Sequence, residues 1–159
     1  MSQGELERCL KALDIIVVIA CIGVMLAIVP QRCLALATAN PQMAYLVPCG
    51  WTLIAVATIP IVAVGVLAWR MFSDIGNDDS FSAANTARLI GIGYLACAEA
   101  ALFALTIVAL AIIGVLAEGL TAVLFMAIIT SGGLGVVAFA LSHFTARAAL
   151  IKAENDLTV

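Results

Sequence analysis

Charged residues are scarce in this chain. Only 11% of its 159 residues are Asp, Glu, Lys or Arg, against roughly 25% in a typical soluble domain. The seven basic residues are scattered and the formal net charge is −3, which argues against a basic face that binds nucleic acid. A chain that is 65% hydrophobic cannot hide its apolar surface in a soluble core. These shortages indicate an integral membrane protein.

The residues that build catalytic and metal sites are also scarce. His143 is the only histidine, and none of the five cysteines belongs to a Cys-x-x-Cys pair. Zinc binding and thiol redox chemistry therefore lack their usual spacing, and we expect no metal site and no cofactor. No nucleophile is grouped with a base, and no phosphate-binding loop is present. We predict that the protein is not an enzyme.

Long apolar runs are abundant. Four of them cover about residues 10–29, 49–72, 88–117 and 119–147, and a run of about 20 residues is enough to cross a bilayer as a helix. The first run ends in Pro30 and Gln31 rather than in a small-residue cleavage site, so we interpret it as a retained span. The sequence predicts an all-α, polytopic fold. Residues 1–159 would form one domain with four transmembrane helices in an antiparallel bundle.

Lys and Arg near the ends of the four runs predict the orientation, because loops rich in these residues stay in the cytoplasm. If the N-terminus is cytoplasmic, Arg32 is the one basic residue outside. The basic residues that then lie inside are Arg8, Lys11, Arg70, Arg88, Arg147 and Lys152. We therefore expect a bacterial cytoplasmic (inner) membrane protein with both termini in the cytoplasm.

Glu99 is the candidate for an intramembrane site. It follows Arg88 by 11 residues, about 16 Å along a helix, which places it near the centre of the bilayer. At the same depth in the other runs we expect a polar layer of Cys21, Thr58, Thr130 and Ser131. The acid is either a hydrogen-bonded link between helices or a site for a proton, ion or substrate. No Lys or Arg lies at this depth, so we predict that Glu99 is protonated at neutral pH.

Two other pairs of residues are candidates for a local role. Asp14 lies near the cytoplasmic end of the first run, where it could pair with Lys11 three residues earlier or form a hydrogen bond with His143. Cys33 and Cys49 both fall on the outer side. They are either joined as a disulfide or left as two free thiols, and the sequence does not favour one state.

Two segments carry a resemblance to a known family. One runs from Ser80 to Leu89 and continues through Ile92, Gly93 and Tyr94; the other is the tail from Lys152 to Val159. With the segment from Ala44 to Pro48, they make the chain similar to the bacterial four-helix membrane family catalogued as domain of unknown function 2975. The resemblance implies a membrane-bound regulatory role beside a small helix-turn-helix regulator, and it brings no catalytic residues.

Two hypotheses about function follow. In the first, a regulatory or interaction protein docks a cytoplasmic partner through residues that otherwise only cap and anchor the helices: Phe81, Ser82, Asn85, Arg88, Glu154, Asn155 and Asp156. In the second, a small transporter or channel subunit works as an oligomer through Glu99. The expected partners besides the lipid bilayer are a helix-turn-helix regulator, further copies of the chain, or a larger membrane complex.

Overall fold

The computed structural model describes residues 3–76, 82–116 and 118–156, and these residues are almost wholly helical. The elements are α1 (Gln3–Ala39), a 3-10 turn (Pro41–Met43), α2 (Leu46–Gly76), α3 (Ala83–Ile112) and α4 (Glu118–Asp156). The described residues contain no strand. The prediction of an all-α fold with four long helices is confirmed.

All four helices are long and apolar enough to cross a membrane. The candidate spans contain 37, 36, 30 and 33 residues, against the roughly 20 that a bilayer requires. Only 11% to 22% of the residues in the most apolar part of each span are buried inside the protein. The remaining apolar side chains need a lipid environment, so the chain is a multi-pass membrane protein.

Two helices continue through proline. The sequence places the end of the first span just before Pro30, but α1 passes through this residue and runs to Ala39. Helix α2 passes through Pro60 in the same way. Proline removes one backbone hydrogen bond, and apolar membrane helices tolerate this loss because neighbouring groups satisfy the freed carbonyl. The helices are therefore longer than the apolar runs.

Gly114 ends α3. Its φ of 72° is left-handed, a conformation that side chains disfavour and glycine adopts freely. The N–H of Val115 donates to the carbonyl of Leu110 at 2.9 Å, and the N–H of Gly114 donates to the carbonyl of Ala111 at 3.1 Å. This is the Schellman arrangement, and its accompanying apolar contact joins the two buried side chains of Leu110 and Val115. The chain thus turns towards α4 before residue 117.

Neighbouring helices pack antiparallel. In the α1–α2 pair, Gly50 lies against Cys33 and Gly65 lies against Val18. Helix α2 also packs on α3, whereas α1 and α4 touch little. The order of the helices in space therefore follows their order in the chain.

The α3–α4 pair is the tightest. A side-chain carbon at Gly135 would lie 2.8 Å from the Cys97 sulfur and 3.3 Å from the carbonyl oxygen of Gly93. Gly93 in turn lies against the ring of Phe139, which makes an edge-on contact with Tyr94 at 5.2 Å between ring centres. Small residues thus let the backbones of two membrane helices approach each other closely.

We call the two ends of the bundle the basic end and the opposite end. The basic end carries the start of α1, the end of α2, the start of α3 and the end of α4, and with them six of the seven basic residues. The main apolar core fills the half of the bundle towards the opposite end. It contains Met25, Val29, Cys33, Leu46, Ile54, Ala57, Phe103, Leu110, Val115, Leu120 and Leu124.

Candidate functional site

Glu99 is buried at the interface of α3 and α4. Its side chain is only 9% exposed, and its carboxyl group is hydrogen bonded to the hydroxyl of Ser131 on α4. The thiol of Cys21 on α1 is close enough to interact electrostatically with the carboxyl. The structure thus brings together three members of the predicted polar layer, one from each of three helices.

The two threonines of that layer do not join it. The hydroxyl of Thr58 donates to the carbonyl of Ile54 at 2.8 Å, and that of Thr130 donates to the carbonyl of Met126 at 2.9 Å. Thr130 is also exposed on the outside of α4. A threonine in a helix can satisfy its hydroxyl on the preceding turn, so equal depth does not imply contact. The expected layer is reduced to Glu99, Ser131 and Cys21.

A second polar cluster joins α2 to α3 at the basic end. Ser82 caps α3, as predicted, by accepting a hydrogen bond from the N–H of Asn85 at 3.3 Å. The guanidinium of Arg88 donates to the side-chain oxygen of Asn85 at 2.6 Å and forms an ion pair with Asp74 at the end of α2. Asn85 is only 2% exposed. These contacts hold the start of α3 against the end of α2.

This cluster contains three of the residues predicted to dock a partner, and their docking role stays a prediction. The polar groups of this cluster contact the protein's own helices: Ser82 is bonded to Asn85, and Asn85 to Arg88. Buried polar groups need hydrogen-bond partners, and these residues are partners for one another. Sequence reasoning missed Asp74 as the partner of Arg88. The signal in the sequence was an acid near the end of α2 and a base near the start of α3, because two consecutive antiparallel helices bring such residues together. Of the other predicted docking residues, Phe81 and the side chains of Glu154, Asn155 and Asp156 lie outside the described residues.

The predicted Asp14 contacts are not formed. Lys11 pairs with Glu7 at 2.5 Å instead. The carboxyl of Asp14 faces α2, with both oxygens 3.9 Å from the position of a side-chain carbon at Gly65, and His143 is exposed on α4. No hydrogen bond joins Asp14 to His143 in the described part of the chain. The two residues are level with each other, but they face different neighbours.

Cys33 and Cys49 are both free thiols in the structure. Cys33 is buried and Cys49 is exposed, yet they are near enough to interact electrostatically across the α1–α2 pair. Whether they form a disulfide in an oxidising compartment stays a prediction. Across the described ranges, no three His, Cys, Asp or Glu side chains form a group that could hold a metal ion.

Comparison with known proteins identifies the family. Residues 32–159 match the family described as "Protein of unknown function (DUF2975)", which covers α2, α3, α4 and the end of α1. Neither the curated proteins nor the solved structures include a significant match. The matched region contains Glu99, Ser131 and the Asp74–Arg88 pair, whereas Cys21 lies before it. The chain is therefore a membrane-spanning, four-helix member of the DUF2975 family.

Proposed function

We propose that this protein is a non-enzymatic, membrane-bound regulatory protein that docks a cytoplasmic partner at its basic end. In this proposal the protein lies in a bacterial cytoplasmic membrane with both termini inside. The excess of Lys and Arg at the basic end supports that orientation. A small helix-turn-helix regulator, the kind of partner that the family resemblance implies, would bind there.

The observation that carries the proposal is the projecting end of α4. In the antiparallel α3–α4 pair, Gly93 is opposite Phe139 and Cys97 is opposite Gly135. Continued along both helices, this register places Ala83, the first residue of α3, level with residue 149. Residues 150–156 of α4 therefore extend beyond the start of α3 as a helix. We call this segment the α4 extension. It offers a partner a helical surface that α3 does not cover.

The α4 extension begins with two exposed apolar residues. Leu150 is 66% exposed and Ile151 is 63% exposed, and both follow the basic Arg147 within one helical turn. Exposed apolar side chains on a helix are what a hydrophobic groove in a partner protein binds. The start of α3 offers fewer accessible side chains to a partner, because Asn85 is buried and Arg88 is paired with Asp74.

Affinity capture of the tagged protein from gently solubilised native membranes tests this proposal. We expect a small helix-turn-helix protein among the captured proteins, identified by mass spectrometry. Its yield should fall at least about tenfold in the double variant Leu150→Ala, Ile151→Ala, because loss of two apolar anchors costs on the order of 1.4 kcal/mol or more. Deletion of residues 153–159 should have a similar effect if the tail contributes.

The matched control is Leu34→Ala. Leu34 is 57% exposed near the opposite end of α1, so its truncation removes a similar apolar side chain far from the α4 extension. Capture by this variant should equal that of the wild type. Capture of the chain alone, unchanged by the double variant and by the deletion, would overturn the docking proposal.

A second candidate function is transport through an oligomer, and the buried Glu99 favours it. An acid inside a membrane bundle is costly, and such acids often bind protons or ions. Glu99 lies within hydrogen-bonding distance of Ser131 and near Cys21, away from the lipid. In this alternative, several copies would together enclose a path that passes the carboxyl group.

Difference infrared spectroscopy tests the state of Glu99. We expect the carbonyl stretch of a protonated acid in the wild type and its loss in Glu99→Gln. The band should shift in Ser131→Ala, because that variant removes the hydroxyl partner of Glu99. It should stay in place in Thr130→Val, because the Thr130 hydroxyl donates to its own helix and not to Glu99. Absence of the band from the wild type would show an ionised carboxylate. Proton flux in vesicles that disappears in Glu99→Gln would favour transport over docking.

A further inference from the structure

A groove runs between α1 and α2 towards the basic end, outside both polar clusters. Its volume is about 290 Å³, and it is open along one side. The wall that runs towards the bilayer centre is apolar and includes Val18, Val62 and Val66. Gly65 also lines the groove and lets α1 approach α2 closely, because a side-chain carbon there would lie 2.8 Å from Val18.

The end of the groove nearest the basic end carries two opposite charges. Asp14 and Arg70 both line it, and neither forms an ion pair or hydrogen bond with a described residue. Trp69 also lines the groove and is 40% exposed, and tryptophan is a residue type that prefers the level of the lipid headgroups. A guanidinium that has no partner among the described residues, in a largely apolar groove, suits a phosphate.

The charges select among membrane-soluble ligands. A purely anionic headgroup would suit Arg70 but would be repelled by Asp14, and a lipophilic cation would face the opposite conflict. A cation would also find the face of Trp69 occupied, since the Lys11 ammonium lies 4.9 Å from the centre of its ring system. A headgroup with both a phosphate and a primary ammonium satisfies both residues.

We propose that this groove binds one phosphatidylethanolamine molecule. Its phosphate accepts hydrogen bonds from Arg70, its ammonium donates to Asp14, and one acyl chain lies along the wall of Val18, Val62 and Val66. A bound lipid fills the apolar groove more closely than the acyl chains of freely diffusing lipids would. The site is independent of the proposed docking function, because it faces the bilayer.

Quenching of tryptophan fluorescence by lipids with brominated acyl chains tests the proposal. The variant Trp51→Phe leaves Trp69 as the one tryptophan, and Trp69→Phe leaves Trp51 near the opposite end as a matched reporter. Each variant is placed in phosphatidylcholine bilayers with a small fixed fraction of brominated phosphatidylethanolamine, phosphatidylglycerol or phosphatidylcholine. We expect brominated phosphatidylethanolamine to quench Trp69 at an apparent affinity about threefold or more higher than either other lipid. Trp51 should show no preference.

The preference should disappear when Asp14→Asn or Arg70→Gln is added to Trp51→Phe. Circular dichroism checks that these variants keep their helices. Equal quenching of Trp69 by the three lipids would overturn the proposal without any further variant. A preference for phosphatidylglycerol, or a preference that survives both substitutions, would also overturn it, the first by assigning the groove to anionic lipids through Arg70 alone.

Discussion

Replacing Gly135 with leucine is expected to separate α3 from α4 and to destabilise the protein by roughly 2 kcal/mol or more, as overpacking does in a closely packed interface. The first carbon of the new side chain would lie 3.3 Å from the carbonyl oxygen of Gly93, and backbone cannot move aside as a flexible side chain can. The measurement is thermal unfolding in detergent, followed by circular dichroism. The melting temperature should fall by several degrees.

Gly133 provides a control on the same helix. It is exposed, and a side-chain carbon there would meet nothing within 4 Å. Gly133→Leu should therefore leave the melting temperature unchanged or raise it slightly, because glycine inside a helix costs about 0.5–1 kcal/mol relative to alanine. Equal melting temperatures for the Gly135 and Gly133 variants would show that the close α3–α4 approach does not hold the protein together.

An all-or-none result is expected when native cysteines are labelled with a membrane-impermeant maleimide on intact cells. Cys9 is exposed at the basic end and Cys49 is exposed near the opposite end. In variants that retain one of these two cysteines, we expect labelling of Cys49 and none of Cys9. Six basic residues at one end against one at the other make this the favoured orientation.

Disrupted cells supply the control for this experiment, because both cysteines should react once the membrane is open. Labelling of Cys9 and not Cys49 on intact cells would reverse the orientation and place the α4 extension outside. That outcome would also remove the docking proposal, since a cytoplasmic regulator could not reach residues 150–156.

The sequence predicted the depth of residues better than their direction. Counting along a helix at 1.5 Å per residue placed Glu99 and Ser131 at one level, and they are hydrogen bonded. The same count placed Asp14 level with His143, but the two face different neighbours. Direction depends on how a helix is rotated about its axis. A helix that is apolar on all sides has no polar stripe from which that rotation can be read.

Helix ends were predictable only where local chemistry marks them. Ser82 follows a polar stretch of sequence and precedes a helix, and it caps α3 as expected. Gly114 is an equally local signal for the end of α3, but the residues around it are all apolar, and the third apolar run therefore continues past it to about residue 117. Pro30 was misleading, since proline ends helices in water more reliably than in lipid.

The polar cluster at the basic end illustrates a further limit. The types of Asn85 and Arg88 marked them as distinctive, yet a distinctive residue can serve either a partner or the protein's own helices. The position of Asp74, which the packing of α2 on α3 brings beside Arg88, shows the second of these roles and leaves the first a prediction. Pairing across a turn depends on tertiary geometry, which one sequence does not specify.

The sequential packing of the helices bears on how the protein is made. Helix α2 packs on α1, α3 on α2 and α4 on α3, while the first and last helices touch little. Each helix after the first thus has a helix on which it packs already in the membrane when the ribosome finishes synthesising it. Assembly can proceed from the N-terminus without a long-range search, as expected for a chain whose contacts are mostly between neighbours along the sequence. An incomplete chain that ends after α2 would already contain a packed pair.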